Sequence, residues 1–259
     1  MELGLDNKIV VVTGAGRGIG LAIARAAASE GARVVGAART VTPELRDVAE
    51  ATVEVDVATP DGPRRMIDWA LDLDGGIDVL INNVGTFHAR TAGFADVTDA
   101  DWEATLETNL LSAVRAIRAA LPSLIERKGT IVNVSSARAR APQPPVVDYA
   151  AAKAALTNLG KTLAFELAPH GVRVNTVSPG PTRTDAWERP DGFGAALAAA
   201  SGTEHERFLA EFPAHAGLAT GRLTEPDEVA AVALLLASDR AENATGVDYA
   251  IDGGQIKTI

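Results

Sequence analysis

The sequence has no cysteine among its 259 residues, which excludes a disulfide framework and thiolate zinc sites. Its four histidines, His88, His170, His205 and His215, show no HExxH or comparable ligand spacing, so no catalytic metal is expected. No N-terminal apolar segment is long enough for a signal peptide or a membrane span, and the expected location is the cytoplasm with no membrane partner. Positive charge is short: 24 Lys and Arg against 34 Asp and Glu give a net charge of -10. A chain that needs cations to neutralise phosphates is not built this way, so sequence-independent nucleic-acid binding is not expected. Arg64-Arg65 and the pair Arg138 and Arg140 are too sparse to make a basic patch. No internal repeat, linker or low-complexity tract marks a second domain.

What is present is a chain 47% hydrophobic and 22% charged, enough to bury a sizeable core as one α/β domain over residues 1–259. Apolar, β-branched runs at Val10 to Thr13, Arg33 to Ala37, Thr52 to Asp56, Asp78 to Asn82, Thr130 to Ser135, Arg173 to Val177 and Val247 to Ile251 read as strands. Helical patterns fall between them at about Arg17 to Glu30, Pro60 to Leu73, Asp99 to Arg127, Tyr149 to Pro169 and Pro226 to Ala237. The alternation predicts a doubly wound parallel sheet of about seven strands with helices on both faces, a single-domain Rossmann-type α/β fold whose ligands lie at the strand C-termini. The segment at about 181–224 breaks the pattern with several prolines and glycines, a helical stretch near Glu204 to Glu211, and the apolar residues Trp187, Phe193, Leu197, Phe208 and Phe212. It reads as a substrate lid or, alternatively, as a packed surface excursion.

Two segments carry chemistry. Thr13-Gly14-Ala15-Gly16-Arg17-Gly18-Ile19-Gly20 lies between a buried strand and a helix, where backbone N–H groups and the helix dipole attract phosphate. Glycines at 14, 18 and 20 leave room for close approach, although a turn that simply needs glycine would look the same. Tyr149 and Lys153 stand four apart on one helix and so share a face. A tyrosine of ordinary pKa ~10 must fall by about three units to exchange a proton readily near neutrality, and a neighbouring ammonium supplies part of that pull. An amphipathic helix with a half-buried tyrosine is the plainer reading. Gly129 to Ser136 reads as a strand ending in two hydroxyls, thirteen positions before Tyr149.

Taken together, TGxxxGxG at Thr13 to Gly20, Asn82-Asn83-Val84-Gly85, Ser136 and Tyr149-Ala150-Ala151-Ala152-Lys153 resemble the short-chain dehydrogenase/reductase family, single-domain type similar to 3-ketoacyl-carrier-protein reductases, over nearly the whole chain. The resemblance implies a nicotinamide-dependent enzyme that interconverts a carbonyl and a secondary alcohol. It implies a catalytic group of Asn109, Ser136, Tyr149 and Lys153: Tyr149 as the proton donor, Lys153 on the nicotinamide ribose, Ser136 on the substrate oxygen, and Asn109 holding a water of the proton relay. Ser135 reads as structural. The implied cofactor residues are Gly14, Gly16, Arg17, Gly18, Ile19, Gly20, Arg39, Thr40, Asp56, Val57, Asn83, Val84, Gly85, Tyr149, Lys153, Pro179, Gly180, Thr182 and Thr184. Asp56 matches an adenine-contacting aspartate. Val84 replaces the family's usual alanine. Thr245-Gly246 and Asp252-Gly253-Gly254 match further landmarks.

The second strand ends in Ala37-Ala38-Arg39-Thr40 with no acid to bond the ribose hydroxyls of NAD, while Arg39 and Arg17 can meet a 2′-phosphate, so NADP(H) is favoured over NAD(H). Two solvated surface arginines are the alternative. The substrate pocket is expected from Phe87, Ser136, Arg138, Val146, Val147, Tyr149, Trp187 and Phe193, mainly apolar, around a small molecule. Arg138 either grips an anionic group or faces solvent. Reduction of a 3-ketoacyl group on acyl carrier protein is a second reading, for which Arg127 and Lys128 are expected near the rim of the site. A silent NADP(H)-binding regulator is a third, from another class. Helices around Asn109 and Tyr149, apolar on more than one face at Leu106, Leu110, Leu111, Ile117, Leu121, Ala151, Ala155, Leu159 and Leu163, predict a homotetramer or homodimer.

Overall fold

A computed structural model describes residues 2–73 and 76–257 of the chain; Met1, Asp74, Gly75, Thr258 and Ile259 lie outside them. Strand and helix alternate from the start: β1 (Ile9–Thr13), α1 (Gly18–Ser29), β2 (Arg33–Ala38), α2 (Pro43–Arg46), β3 (Ala51–Glu54), α3 (Gly62–Leu71) and β4 (Val79–Asn82). Then come α4 (Asp99–Leu106), α5 (Ser112–Arg127), β5 (Thr130–Val134), α6 (Val147–Leu167) and β6 (Arg173–Pro179). Three helices, α7 (Asp185–Glu188), α8 (Phe193–Ser201) and α9 (His205–His215), precede α10 (Pro226–Ala237) and β7 (Asp248–Ile251).

The strands form one seven-stranded sheet in the order β3-β2-β1-β4-β5-β6-β7, every pair parallel. The order reverses between β1 and β4, the switch point where such sheets open a crevice beyond their strand C-termini. Because side chains alternate across a strand, β1 serves both faces. Val10 and Val12 pack with Ile23 of α1 and Val229 and Leu234 of α10 on one side. Ile9 and Val11 pack with Met66 and Ile67 of α3 and Ile117 of α5 on the other. Among the described residues no helix is long and apolar enough to cross a membrane.

The expected elements are all present, with corrections at their ends. The third strand stops at Glu54, so Asp56 stands in the turn beyond it, where its Oδ1 accepts from the Ala58 N–H at 2.9 Å. The fifth stops at Val134; the Ser135 N–H still donates to the Val177 carbonyl of β6 at 2.7 Å, and Ser136 stands beyond the ladder. The helix expected over Asp99 to Arg127 is interrupted by a π-helical turn at Glu107–Leu111. Its cause is Asn109, whose buried Nδ2 donates to the Thr105 carbonyl at 2.9 Å and competes with the backbone ladder. The sequence reading missed α2, a single turn whose N-cap Thr42 accepts from the Leu45 N–H and whose first position is Pro43.

Candidate active site

The glycine turn between β1 and α1 is held by Thr13 and Asn83. Thr13 Oγ1 accepts from the N–H groups of Asn83 and Val84 at 2.9 and 3.2 Å, and Asn83 Nδ2 donates to the carbonyls of Thr13 and Gly14 at 2.9 and 3.3 Å. Gly14 and Gly18 have φ of +66° and +54°, which L side chains rarely adopt. A Cβ on Gly20 would stand 2.2 Å from the Gly14 carbonyl oxygen, so the turn closes only with glycine there. The N-cap of α1, Arg17, offers no side-chain bond to the first helical turn, which leaves its N–H groups to an incoming anion.

A cleft of about 1240 Å³ runs from this turn along the C-terminal edge of the sheet. Every expected cofactor residue lines it: Gly14, Gly16, Arg17, Gly18, Ile19, Gly20, Arg39, Thr40, Asp56, Val57, Asn83, Val84, Gly85, Tyr149, Lys153, Pro179, Gly180, Thr182 and Thr184. At one end Arg39 is exposed and has no ion-pair partner among the described residues, whereas Arg17 lies 3.4 Å from the Asp185 carboxylate. Arg25 of α1 adds a further cation there that sequence reasoning missed, because on a helix surface it looks like any solvated arginine.

At the other end β5 and α6 bring Ser136, Tyr149 and Lys153 together. Ser136 follows the last strand residues, and its Oγ accepts from the Arg138 N–H at 3.1 Å. Ser135 turns toward α6, donating to the Lys153 carbonyl at 3.0 Å. Tyr149 sits in the first turn of α6, where the helix dipole favours a phenolate, and Lys153 follows one turn later. Lys153 is 1% exposed, and its Nζ donates to the Val134 carbonyl at 2.9 Å and lies 5.8 Å from the Tyr149 ring centre. Asn109 does not line the cleft; its Oδ1 accepts from the Thr86 N–H at 3.0 Å and its Nδ2 donates to the Thr86 carbonyl at 2.9 Å. It nevertheless converges with Lys153, since a Cβ on Gly85 would stand 3.1 Å from Lys153 Nζ and 3.3 Å from Asn109 Oδ1.

Burial dominates the titration of both groups in the chain alone. Desolvation pushes the Tyr149 hydroxyl up to about 12, against the opposing pull of Ser136 and the Arg138 charge. Desolvation likewise brings Lys153 down to about 7. The downward pull on the tyrosine therefore comes from Ser136 and Arg138, and a cationic ligand beside Lys153 and Tyr149 would have to supply the rest.

The N-terminus of α6 is clamped from below. Asp148 is 1% exposed, and its Oδ2 accepts from Arg90 Nη2 at 2.5 Å and Thr105 Oγ1 at 2.8 Å, while Arg90 Nη1 reaches Asp101 at 2.9 Å. Sequence reasoning passed over this network, whose members lie 58 and 43 positions from Asp148 and share no local pattern.

Of the expected pocket residues, Phe87, Ser136, Arg138, Val146, Tyr149, Trp187 and Phe193 line the cleft. Val147 does not: it opens α6 and lies outside the cleft wall that Val146 forms, a one-residue error that a helix start turns into a change of face. The aromatic wall is continuous, with Phe87 4.9 Å from Phe193, and Trp187 5.4 Å from Phe193 and 4.5 Å from Phe212 between ring centres. Gln143, Leu197 and Gln255 join it. Arg127 and Lys128 are corrected outright: they close α5 ahead of β5, at the N-terminal edge of the sheet, with Arg127 on Asp78 at 2.8 Å. They are not at the rim of the site.

The family model described as Enoyl-(Acyl carrier protein) reductase matches residues 14–255. The 3beta-hydroxysteroid dehydrogenase 1 of Eggerthella lenta is 34% identical over 96% of this chain and 94% of its own length. The 3-oxoacyl-[acyl-carrier-protein] reductase FabG of Vibrio cholerae is 33% identical over 97% of this chain and 98% of its own. The structure of L-sorbose reductase from Gluconobacter frateurii, complexed with NADPH and L-sorbose, superposes with a TM-score of 0.91 at 33% identity and covers 100% of both chains.

Proposed function

The chain belongs to the short-chain dehydrogenase/reductase family of oxidoreductases, and from that premise we propose that it interconverts a carbonyl and a secondary alcohol on a small molecule with a mainly apolar body, using NADP(H). The observation that carries this reading is the joining of Ser136, Tyr149 and Lys153 at one end of a cleft whose other end is a glycine turn open to phosphate.

The residues fit a dinucleotide. Gly16 and Gly18 leave backbone bare where side chains would intrude, the uncapped turn of α1 offers N–H groups to the phosphates, and Arg39 with Arg17 supports NADP(H) over NAD(H) by charge. A related structure is itself an NADPH complex. When bound, the reduced nicotinamide supplies the hydride for the carbonyl carbon. Ser136 donates a hydrogen bond to the carbonyl oxygen and polarises it, and Tyr149 delivers the proton to that oxygen. Lys153 holds the nicotinamide ribose, and Asn109, fixed by the π turn, positions the water through which the proton is replaced. Alcohol oxidation is the same path reversed. Segment 181–224 closes over the substrate as a lid, with Trp187, Phe193 and Phe212 as its inner wall. Assembly as a homodimer or homotetramer is supported by the run of exposed Ala151, Ala155 and Phe165 along α6, the last 70% accessible; the location proposed for it is the cytoplasm.

The second reading, reduction of 3-ketoacyl groups on a carrier protein, keeps the support of the carrier-protein reductase relative but has lost the rim cations it was expected to use. The test is NADPH consumption by the purified protein across neutral ketones, keto acids and a 3-ketoacyl thioester, with NADH in parallel. NADPH-preferring turnover of free ketones or keto acids is the expected result; turnover of the carrier-bound thioester alone moves the protein to the second reading, and NADPH binding with no turnover of any carbonyl favours the regulator.

A further inference from the structure

The catalytic end of the cleft holds a cation, Arg138, that neither donates the proton nor is among the residues assigned to the cofactor, although its charge acts on Tyr149. Arg138 lies two residues beyond Ser136 in a single 3-10 turn, Ala137–Ala139, and its N–H is bonded to the Ser136 hydroxyl at 3.1 Å. That bond fixes the backbone of Arg138 beside the group that meets the substrate oxygen. It lines the cleft, half-buried, and its guanidinium makes one hydrogen bond among the described residues, from Nη1 to the Ala141 carbonyl at 3.2 Å. An arginine carries five N–H donors and stays charged at any working pH, so most of its hydrogen-bonding capacity is not used by the described residues.

The other cleft arginines are accounted for differently. Arg17 is paired with Asp185, and Arg189 with Asp191 at 2.9 Å, while Arg25 and Arg39 stand on α1 and after β2, at the far end. Arg138 has no carboxylate within 4.0 Å among the described residues. Asp252 is the carboxylate whose field reaches it, but its two oxygens accept from the N–H groups of Gly254 and Ile256 at 2.9 and 2.7 Å. The same cleft is lined by Phe87, Val146, Trp187 and Phe193, and the Phe87 ring lies 5.2 Å from that of Tyr149, the group whose charge Arg138 feels. A lone charge against such a wall interacts strongly with whatever anion enters.

We infer that Arg138 makes this site selective for carbonyl compounds bearing a carboxylate, and for the hydroxy acids that are their reduced partners. The guanidinium fork matches a carboxylate with two parallel hydrogen bonds. One cation balances one negative charge, so a phosphate dianion would enter with a charge left over. The inference rests on the oxidoreductase reading for the word substrate, but the anion site stands on Arg138 alone.

The test compares 2-, 3- and 4-oxo acids of four to eight carbons with their methyl esters. In wild type at least one acid is expected to exceed its ester by tenfold or more in kcat/KM. Arg138→Leu brings that ratio to about one, and Arg138→Lys, which keeps the charge and loses the fork, falls between. The ratio is the readout because Arg138 also acts on Tyr149, so the ester rate itself can fall. Calorimetry on the Tyr149→Phe protein saturated with NADPH reads binding without reaction: the preferred acid binds at least tenfold tighter than its ester, and adding Arg138→Leu removes the difference. Acids and esters that bind alike overturn the inference whatever the enzyme turns over. A phosphate-bearing ketone that binds more tightly than every acid overturns the choice of carboxylate. Arg138-dependent acid binding with no turnover of any carbonyl leaves the anion site standing and defeats the oxidoreductase reading instead.

Discussion

The site turns on two residues that titrate in opposite directions from their ordinary values. Lys153 is buried with its folded-state pKa at about 7, below its ordinary 10.5. Between those values the unfolded chain holds the lysine proton and the folded chain does not, so stability without cofactor rises with pH through this window and is lost as pH falls toward 7. Tyr149, at about 12, acts only above pH 10, where it lowers stability as pH rises. Lys153→Met is therefore expected to remove the slope between pH 7 and 10 and to unfold no more easily than wild type at pH 6, measured by urea titration at several pH values. A slope unchanged in the variant would contradict the burial argument. Arg39→Asp is expected to reverse the NADPH preference, read as a fall of tenfold or more in the ratio of NADPH to NADH affinity. At this scale the shared face of Tyr149 and Lys153 was legible from their spacing of four, and Ser136 from the resemblance that pointed to it; the three come together at one end of the cleft. The direction of Tyr149's shift was not legible, because burial is set by residues far apart in the chain.

Among the elements, the glycine turn and the clamp beneath α6 do the positioning. Gly20→Ala would put a Cβ 2.2 Å from the Gly14 oxygen and 2.5 Å from Asn83 Nδ2, forcing the turn open. The expected result is loss of NADPH binding by tenfold or more with a lowered melting temperature. The control is Gly202→Ala, at φ +67° with nothing within 4 Å, which costs only about 1 kcal/mol of stability and leaves binding intact. Arg90→Ala strands the buried Asp148 carboxylate and is expected to cost about 3–5 kcal/mol in a denaturant titration, with kcat falling because Tyr149 follows directly on the chain. Asp148→Asn in the Arg90→Ala background recovers part of that loss; no recovery would mean that the pair is not what holds the helix start. Element types were readable from hydrophobic period. The π turn at Glu107–Leu111 was not, since one asparagine bonding to Thr86 and Thr105 creates it, and Thr86 lies 23 positions away. α2 escaped because four residues show no period at all.

For the whole molecule, the parallel order with its reversal between β1 and β4 places every strand C-terminus along one edge, and the cleft follows. That topology was implicit in the alternation of strands and helices, because right-handed crossovers leave few alternatives. It also explains the misplacement of Arg127 and Lys128: a residue just before a strand belongs to the opposite edge from the site, a distinction that sequence proximity to Ser136 conceals. The aromatic set of α7, α8 and α9 formed from residues separately noted as apolar, but their joint packing against Phe87 depended on a loop across the sheet. Assembly is read at this scale as well: light scattering is expected to give a mass of two or four chains, and Phe165→Glu to shift it toward one.

The central claim is that Tyr149 passes the proton in an NADPH-dependent carbonyl reduction, and NADPH oxidation at 340 nm with the best ketone or keto acid, by wild type and Tyr149→Phe side by side, tests it most directly. The account predicts that the variant binds NADPH as wild type does and loses turnover by a thousandfold or more; a variant that turns over at the wild-type rate would contradict it.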